Sequence, residues 1–134
     1  MPDYRLSEAA NLLGVSDDTV RRWVAAGTLS ARHDDAGRQV VDGAELAARA
    51  KDIATVPSDP SGMGSSARNR FVGLVTNIIV DSVMAQVEIQ SGPHRIVSLM
   101  SAEAAHQLGL EVGVLAVAVV KATTVIVETP QEAP

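Results

Sequence analysis

Ser66-Ala67-Arg68-Asn69-Arg70-Phe71-Val72-Gly73 and, further along, Val119-Val120-Lys121-Ala122-Thr123-Thr124-Val125-Ile126-Val127 decide how the second half of this chain folds. Each joins a short polar island to a run rich in β-branched residues, the pattern of a strand that begins or ends at solvent. Residues 66–134 hold only four cationic side chains, Arg68, Arg70, Arg95 and Lys121, so two of the four sit inside these islands. Cations placed so sparingly at strand ends predict a site: the islands read as two halves of one oxyanion pocket.

Between the islands, residues 71–80, 83–89, 96–100 and 114–120 are strand-like, and Thr124–Glu128 supplies a fifth run. A short helix from Ala102 to Leu108, stopped by Gly109, separates the third strand from the fourth. Five strands and one short helix predict an all-β, OB-like five-stranded barrel without exposed edges. A tetrahedral dianion in its pocket needs close to two units of positive charge and several donors, because an unpaired buried charge is very costly. Arg68 and Lys121 supply the charge, while Ser66, Asn69, Thr123 and the backbone N–H groups near Ala122 supply donors. Ser101 caps the short helix, whose N-terminal amides suit an anion. Four or five charge-assisted hydrogen bonds at roughly 2 kcal/mol each total about 8 to 10 kcal/mol, which is micromolar binding or somewhat tighter. A plainer reading stands beside this one: Ser66, Asn69 and Ser101 as caps, Thr123 and Thr124 as ordinary strand residues.

The first half has a different period. Ser7 is placed to cap a helix carrying Ala9, Ala10, Leu12 and Leu13, and Gly14 ends it. Ser16 caps a second helix, with Asp17 and Asp18 in its first turn, Val20, Trp23 and Val24 at core spacing, and Gly27 as its stop. Two short helices about a tight turn are the arrangement that lets the second enter a major groove, with Arg21 and Arg22 on its outer side. Residues 30–41 read as a β-hairpin turning near Asp35 to Gly37. Asp42-Gly43-Ala44-Glu45 has the form of a capping box opening a third helix through about Lys51. Residues 54–65, ATVPSDPSGMGS, read as a flexible linker reaching roughly 20 Å. The organisation is therefore two domains, 1–53 and 66–134, joined by 54–65.

Bulk properties narrow the functions. The net charge is −5, and residues 1–56 hold seven Lys/Arg against nine Asp/Glu, so any DNA contact must be locally focused. Three aromatic residues, Tyr4, Trp23 and Phe71, are too few for a stacking platform on single strands. Cysteine is absent, as are a signal peptide and an apolar run of spanning length, so the expected compartment is cytoplasmic. No nucleophile–base pair, carboxylate cluster or metal-ligand spacing occurs, so the chain is expected to be no enzyme, with no direct side-chain metal ligands; His33, His94 and His106 read as surface residues. Halves this small predict oligomerisation as a supplement to their cores.

The stretch LSEAANLLGVSDDTVRRWVAAGTL with the hairpin after it resembles the winged helix-turn-helix of the MerR/excisionase type. That resemblance implies that Thr19, Arg21 and Arg22 face double-stranded DNA, that Arg32 and Arg38 on a wing meet phosphates, and that Trp23 is core. The segments SARNRFVG, SAEAAHQLGLEVGV and VVKATTVIV resemble the molybdate-binding Mop domain of the TOBE class. By that resemblance molybdate, with tungstate possible, binds where subunits meet, and Ser101 reaches the pocket from a neighbouring chain. Ala104 stands where the family has a further hydroxyl. Together the two resemblances imply a molybdate-responsive DNA-binding regulator that associates through its C-terminal domain. The alternative is an intracellular molybdate store with an N-terminal interaction module, which would be indifferent to DNA.

Overall fold

The computed structural model describes residues 2–130, and the chain divides into two compact units, one ending at Thr55 and the other beginning at Val56. The first runs β1 (Asp3–Arg5), α1 (Leu6–Leu13), α2 (Asp17–Ala25), β2 (Ala31–His33), β3 (Gln39–Asp42) and α3 (Gly43–Ile53). Its strands form one antiparallel sheet in the order β1-β3-β2. Ala9, Ala10, Val20, Leu29, Val41 and Leu46 close the core between helices and sheet. Trp23 packs against that core, with the Arg49 guanidinium stacked 4.5 Å from its ring centre.

Local chemistry explains the boundaries and corrects several of them. Gly14, at φ 69°, turns the chain between α1 and α2 in the left-handed region that glycine occupies without penalty. Ser16 accepts from the Thr19 N–H at 3.2 Å and caps α2 as expected. Ser7 does not cap α1: the helix starts a residue earlier, and Glu8 accepts from the Arg5 N–H at 3.1 Å, while Asp3–Arg5 is drawn into the sheet as β1. Asp42 caps α3 by accepting from the Ala44 and Glu45 N–H groups at 3.1 and 3.2 Å. Glu45 does not return that bond; its carboxylate accepts instead from Ser30 N–H at 3.4 Å, tying α3 to the entry of β2.

The second unit contains β4 (Asn69–Val80), β5 (Met84–Ser91), β6 (His94–Ser101), α4 (Ala102–Gln107) and β7 (Leu115–Val120). Its sheet is antiparallel in the order β6-β5-β4-β7. The long β4 serves two partners: Asn69–Leu74 pairs with β7, and Leu74–Val80 pairs with β5 across an irregularity between Val75 and Asn77. Val75, Val87 and Ile89 form the core, with Ile78, Met100, Ala116 and Ala118 packed around them.

The expected fifth strand differs. Ala122–Thr124 makes a single 3-10 turn, and Val125, Ile126 and Val127 lie exposed without a ladder partner, so among the described residues the second unit forms four strands. The physical reason is that β6 and β7 remain the two edges of the sheet, with a groove of about 420 Å³ lined by Ile96, Met100, Leu115, Ala116 and Ala118. Closure needs a strand that the chain does not fold onto itself.

Gly73 sits where β4 changes partners. A Cβ there would lie 2.2 Å from the Gln90 carbonyl oxygen, a backbone atom that cannot swing aside. Gly73→Ala is therefore expected to destabilise the second unit by at least about 2 kcal/mol, a fall of roughly 10 °C in its melting temperature. Calorimetry on the full chain checks this, and an unchanged transition would show that the two strands can separate at no cost.

Candidate functional site

The oxyanion pocket is built from strand register. Asn69 of β4 lies opposite Val120 of β7, and its amide donates to the Val120 carbonyl at 3.2 Å. The ladder ends at that pair: Arg68 and Lys121 are the next residue on each side, just outside β4 and β7, and would stand opposite each other were the register to run one step further. Residues so placed have Cβ atoms roughly 5 Å apart, and like charges directly opposite are destabilising. The other two cations of this unit are neutralised: Arg70 pairs with Asp59 at 2.6 Å, and Arg95 pairs with Glu88. The Arg95 guanidinium holds the Glu88 carboxyl below the usual carboxylate range. Among the described residues Arg68 and Lys121 form no salt bridge, and both are exposed. Two cations flanking the last rung of the β4–β7 ladder without counter-ions, next in sequence to the exposed Ser66 and Thr123 hydroxyls and the 3-10 turn at Ala122, have the charge and donors for a dianion.

Not every expected member is brought there. Ser101 closes β6 opposite Met84, beside the turn that follows Val80, whereas Arg68 precedes the start of β4. Measured along β4 these ends lie roughly 35 Å apart, so Ser101 sits at the opposite end of the strand from Arg68 and Lys121. Its hydroxyl accepts from the Ala104 N–H at 3.0 Å and caps α4. Asn69 acts through the backbone, holding the two islands in register. Asp59 and Ser61, which bond to Arg70, were outside the expected set; the signal for them is the turn-forming Asp59-Pro60-Ser61.

The candidate DNA face lies on α2 and the β2–β3 hairpin. Arg21 and Arg22 project from α2 beside Ser16, Asp18 and Ala25. Arg21 donates to Asp18 at 2.9 Å, and Arg22 donates to the Thr19 hydroxyl at 3.1 Å. On the hairpin Arg38 pairs with Asp34 at 3.1 Å, and Arg32 pairs with Asp3 of β1. The Asp34 carboxyl is held below its ordinary range chiefly by the Arg38 backbone N–H. Each arginine side chain remains more than half exposed in its ion pair. Exposed pairs contribute only about 0 to 1 kcal/mol, so a phosphate can take over each guanidinium at little cost.

Residues 4–52 match the helix-turn-helix domain family and residues 65–127 match the TOBE domain family, so the chain joins a helix-turn-helix domain to a TOBE domain. Among individual proteins, the molybdenum transport protein ModE of Herbaspirillum seropedicae is 37% identical over 68 residues, 50% of this chain and 25% of that protein. The chain thus spans about a quarter of the length of this curated relative. The cytoplasmic molybdate-binding protein ModG, solved with molybdate bound, aligns at 38% identity and a TM-score of 0.50 over 57% of this chain and 55% of that one. MopII of Clostridium pasteurianum aligns at 33% identity and a TM-score of 0.46 over 49% of this chain and all of that one.

Facing cations leave a signature in the absence of ligand. Lys121→Gln is expected to raise the melting temperature of the second unit at low ionic strength, by roughly the 0.5 kcal/mol of a relieved like-charge pair. The gain should shrink as salt screens the charges. Thermal scans at low and high sodium chloride check both statements, and a variant less stable than wild type at low salt would refute the facing arrangement.

Proposed function

We propose that this chain is a cytoplasmic, molybdate-responsive DNA-binding regulator. The observation that carries the reading is the two uncompensated cations, Arg68 and Lys121, at one end of the β4–β7 ladder of a TOBE domain on the same chain as a helix-turn-helix domain. The match to ModG, described as a molybdate-binding protein, supports molybdate as the anion, and tungstate shares its charge and tetrahedral form. In this reading the functional domains are 1–53 and 66–134 with 54–65 as the tether, and the activity is binding and release, not catalysis.

The oxyanion is held by Ser66, Arg68, Asn69, Lys121, Ala122 and Thr123 of one chain with Ser101 of another. The length of β4 supports the assignment of Ser101 to a second chain. The protein therefore works as a homo-oligomer associated through its C-terminal domain, and a strand at Thr124–Glu128 completes a five-stranded barrel on association. The exposed Val125, Ile126 and Val127 and the open groove between β6 and β7 support that completion. Thr19, Arg21 and Arg22 read the major groove, while Arg32 and Arg38 on the β2–β3 wing bind phosphates. Anion binding between subunits favours the spacing at which paired helix-turn-helix units meet two half-sites.

Two measurements test this. Calorimetric titration with molybdate in excess sulfate is expected to give saturable binding that weakens at least about tenfold in Arg68→Ala and in Lys121→Ala, the loss of roughly one charge-assisted bond. An absence of heat in the wild type would end the oxyanion reading. On duplexes selected from a random pool, Arg21→Ala/Arg22→Ala is expected to weaken binding at least about tenfold and to flatten the salt dependence, with molybdate affinity unchanged. Molybdate binding without any duplex selected would instead support the store.

A further inference from the structure

Arg70 lies in β4 opposite Val119 of β7, two residues after Arg68, which just precedes the strand. Its surroundings differ from those of Arg68. Arg70 Nε donates to Asp59 Oδ2 at 2.6 Å, and Nη2 donates to the Ser61 hydroxyl at 2.6 Å. Ser61 donates from its backbone N–H and its hydroxyl to Asp59 Oδ1 at 2.9 and 2.7 Å, closing the Asp-Pro-Ser turn around the guanidinium. Among the described residues this is the one ion pair in which both side chains are at least 70% shielded, with exposures of 26% and 30%. The Arg70 side chain first, and then Ser61, hold the Asp59 carboxyl far below its usual range.

We propose that Asp59 is an electrostatic latch: the Asp59–Ser61 turn docks on Arg70 beside the Arg68–Lys121 pair, and oxyanion binding and the docked turn oppose each other. The inference rests on the oxyanion reading above and adds its coupling to the tether. Two residues of chain separate Arg68 from Arg70 by at most roughly 7 Å, inside the Debye length of about 8 Å at physiological salt. A dianion at Arg68 and Lys121 therefore meets the fixed carboxylate as a like charge, and it offers Arg70 a more highly charged partner than Asp59. At near-aqueous dielectric that repulsion corresponds to about three- to tenfold in affinity. Linkage is reciprocal, so the factor by which Asp59 weakens the anion is the factor by which the anion loosens the turn.

The consequence falls on the tether. With the turn docked, free chain between the end of α3 and the second unit is limited to residues 54–58, a reach of roughly 12 Å. With the turn released and Ser66 and Arg68 on the anion, free chain extends to residue 65 and the reach grows to roughly 20 Å. Ligand then lengthens the tether on which each DNA-reading unit is carried.

The test compares this chain as wild type, Asp59→Asn and Asp52→Asn, the last a matched charge change on α3 of the first unit. Asp59→Asn is expected to bind molybdate about three- to tenfold more tightly than wild type, and Asp52→Asn to match wild type. In ¹⁵N relaxation, the Ser61 amide of the wild type is expected to gain fast motion as molybdate saturates the site, and that of Asp59→Asn to show such motion from the start. A wild type that binds molybdate while Asp59→Asn binds it equally, or while Ser61 keeps its order at saturation, overturns the latch and leaves the oxyanion reading standing. A wild type that takes up no molybdate overturns both.

Discussion

The antiparallel register between β4 and β7 is the constraint on which the second unit depends. Side chains alternate along a strand, so the pairing of Asn69 with Val120 sets Arg70 opposite Val119 and brings Arg68 and Lys121 out of the ladder at the same end. A slip by one residue would send both cations to the core face and set Val75 and its neighbours in water. The same apolar pattern that builds the core therefore holds two like charges together. Their repulsion is offset by burial elsewhere, and any anion that neutralises them recovers it.

The helix-turn-helix unit solves the opposite problem. Its candidate contact residues are arginines in a segment with more acids than bases, and three of them hold a carboxylate in the free protein. These pairs are exposed and weak, so they suppress loose attraction to any polyanion without preventing a well-placed phosphate from displacing them. The acidic balance of the sequence is thereby reconciled with a DNA-reading face.

Much of this was legible in the sequence because the signals are local. Gly14, Ser16, Asp42, Ser101 and Gly109 punctuate elements through their own backbone chemistry, and the two polar islands stand out against β-branched runs. Legibility ended where a partner distant in sequence decides. Asp3–Arg5 is too short to announce a strand and exists because β3 offers an edge, and Glu45 turns to Ser30 because the fold brings that N–H within reach. Thr124–Glu128 has strand composition without a strand, since composition sets propensity while a ladder needs an available edge. Ser101 lies at the far end of β4 from Arg68, which spacing alone does not reveal and which only the family resemblance, with its neighbouring-chain role for Ser101, anticipated. Asp59 was hidden behind a composition that reads as linker.

The stack of Arg49 on Trp23 has a practical corollary. Trp23 is the sole indole of the chain, Tyr4 the sole phenol, and both belong to the first unit, while the second carries only Phe71. Near-ultraviolet emission excited at the indole band therefore reports on the helix-turn-helix unit alone, from a fluorophore on the back of α2 under a cation. Unfolding of the β unit is dark to that probe. An optical melting curve and a calorimetric one would consequently trace different halves of the same molecule, and their separation would measure how independently the halves unfold.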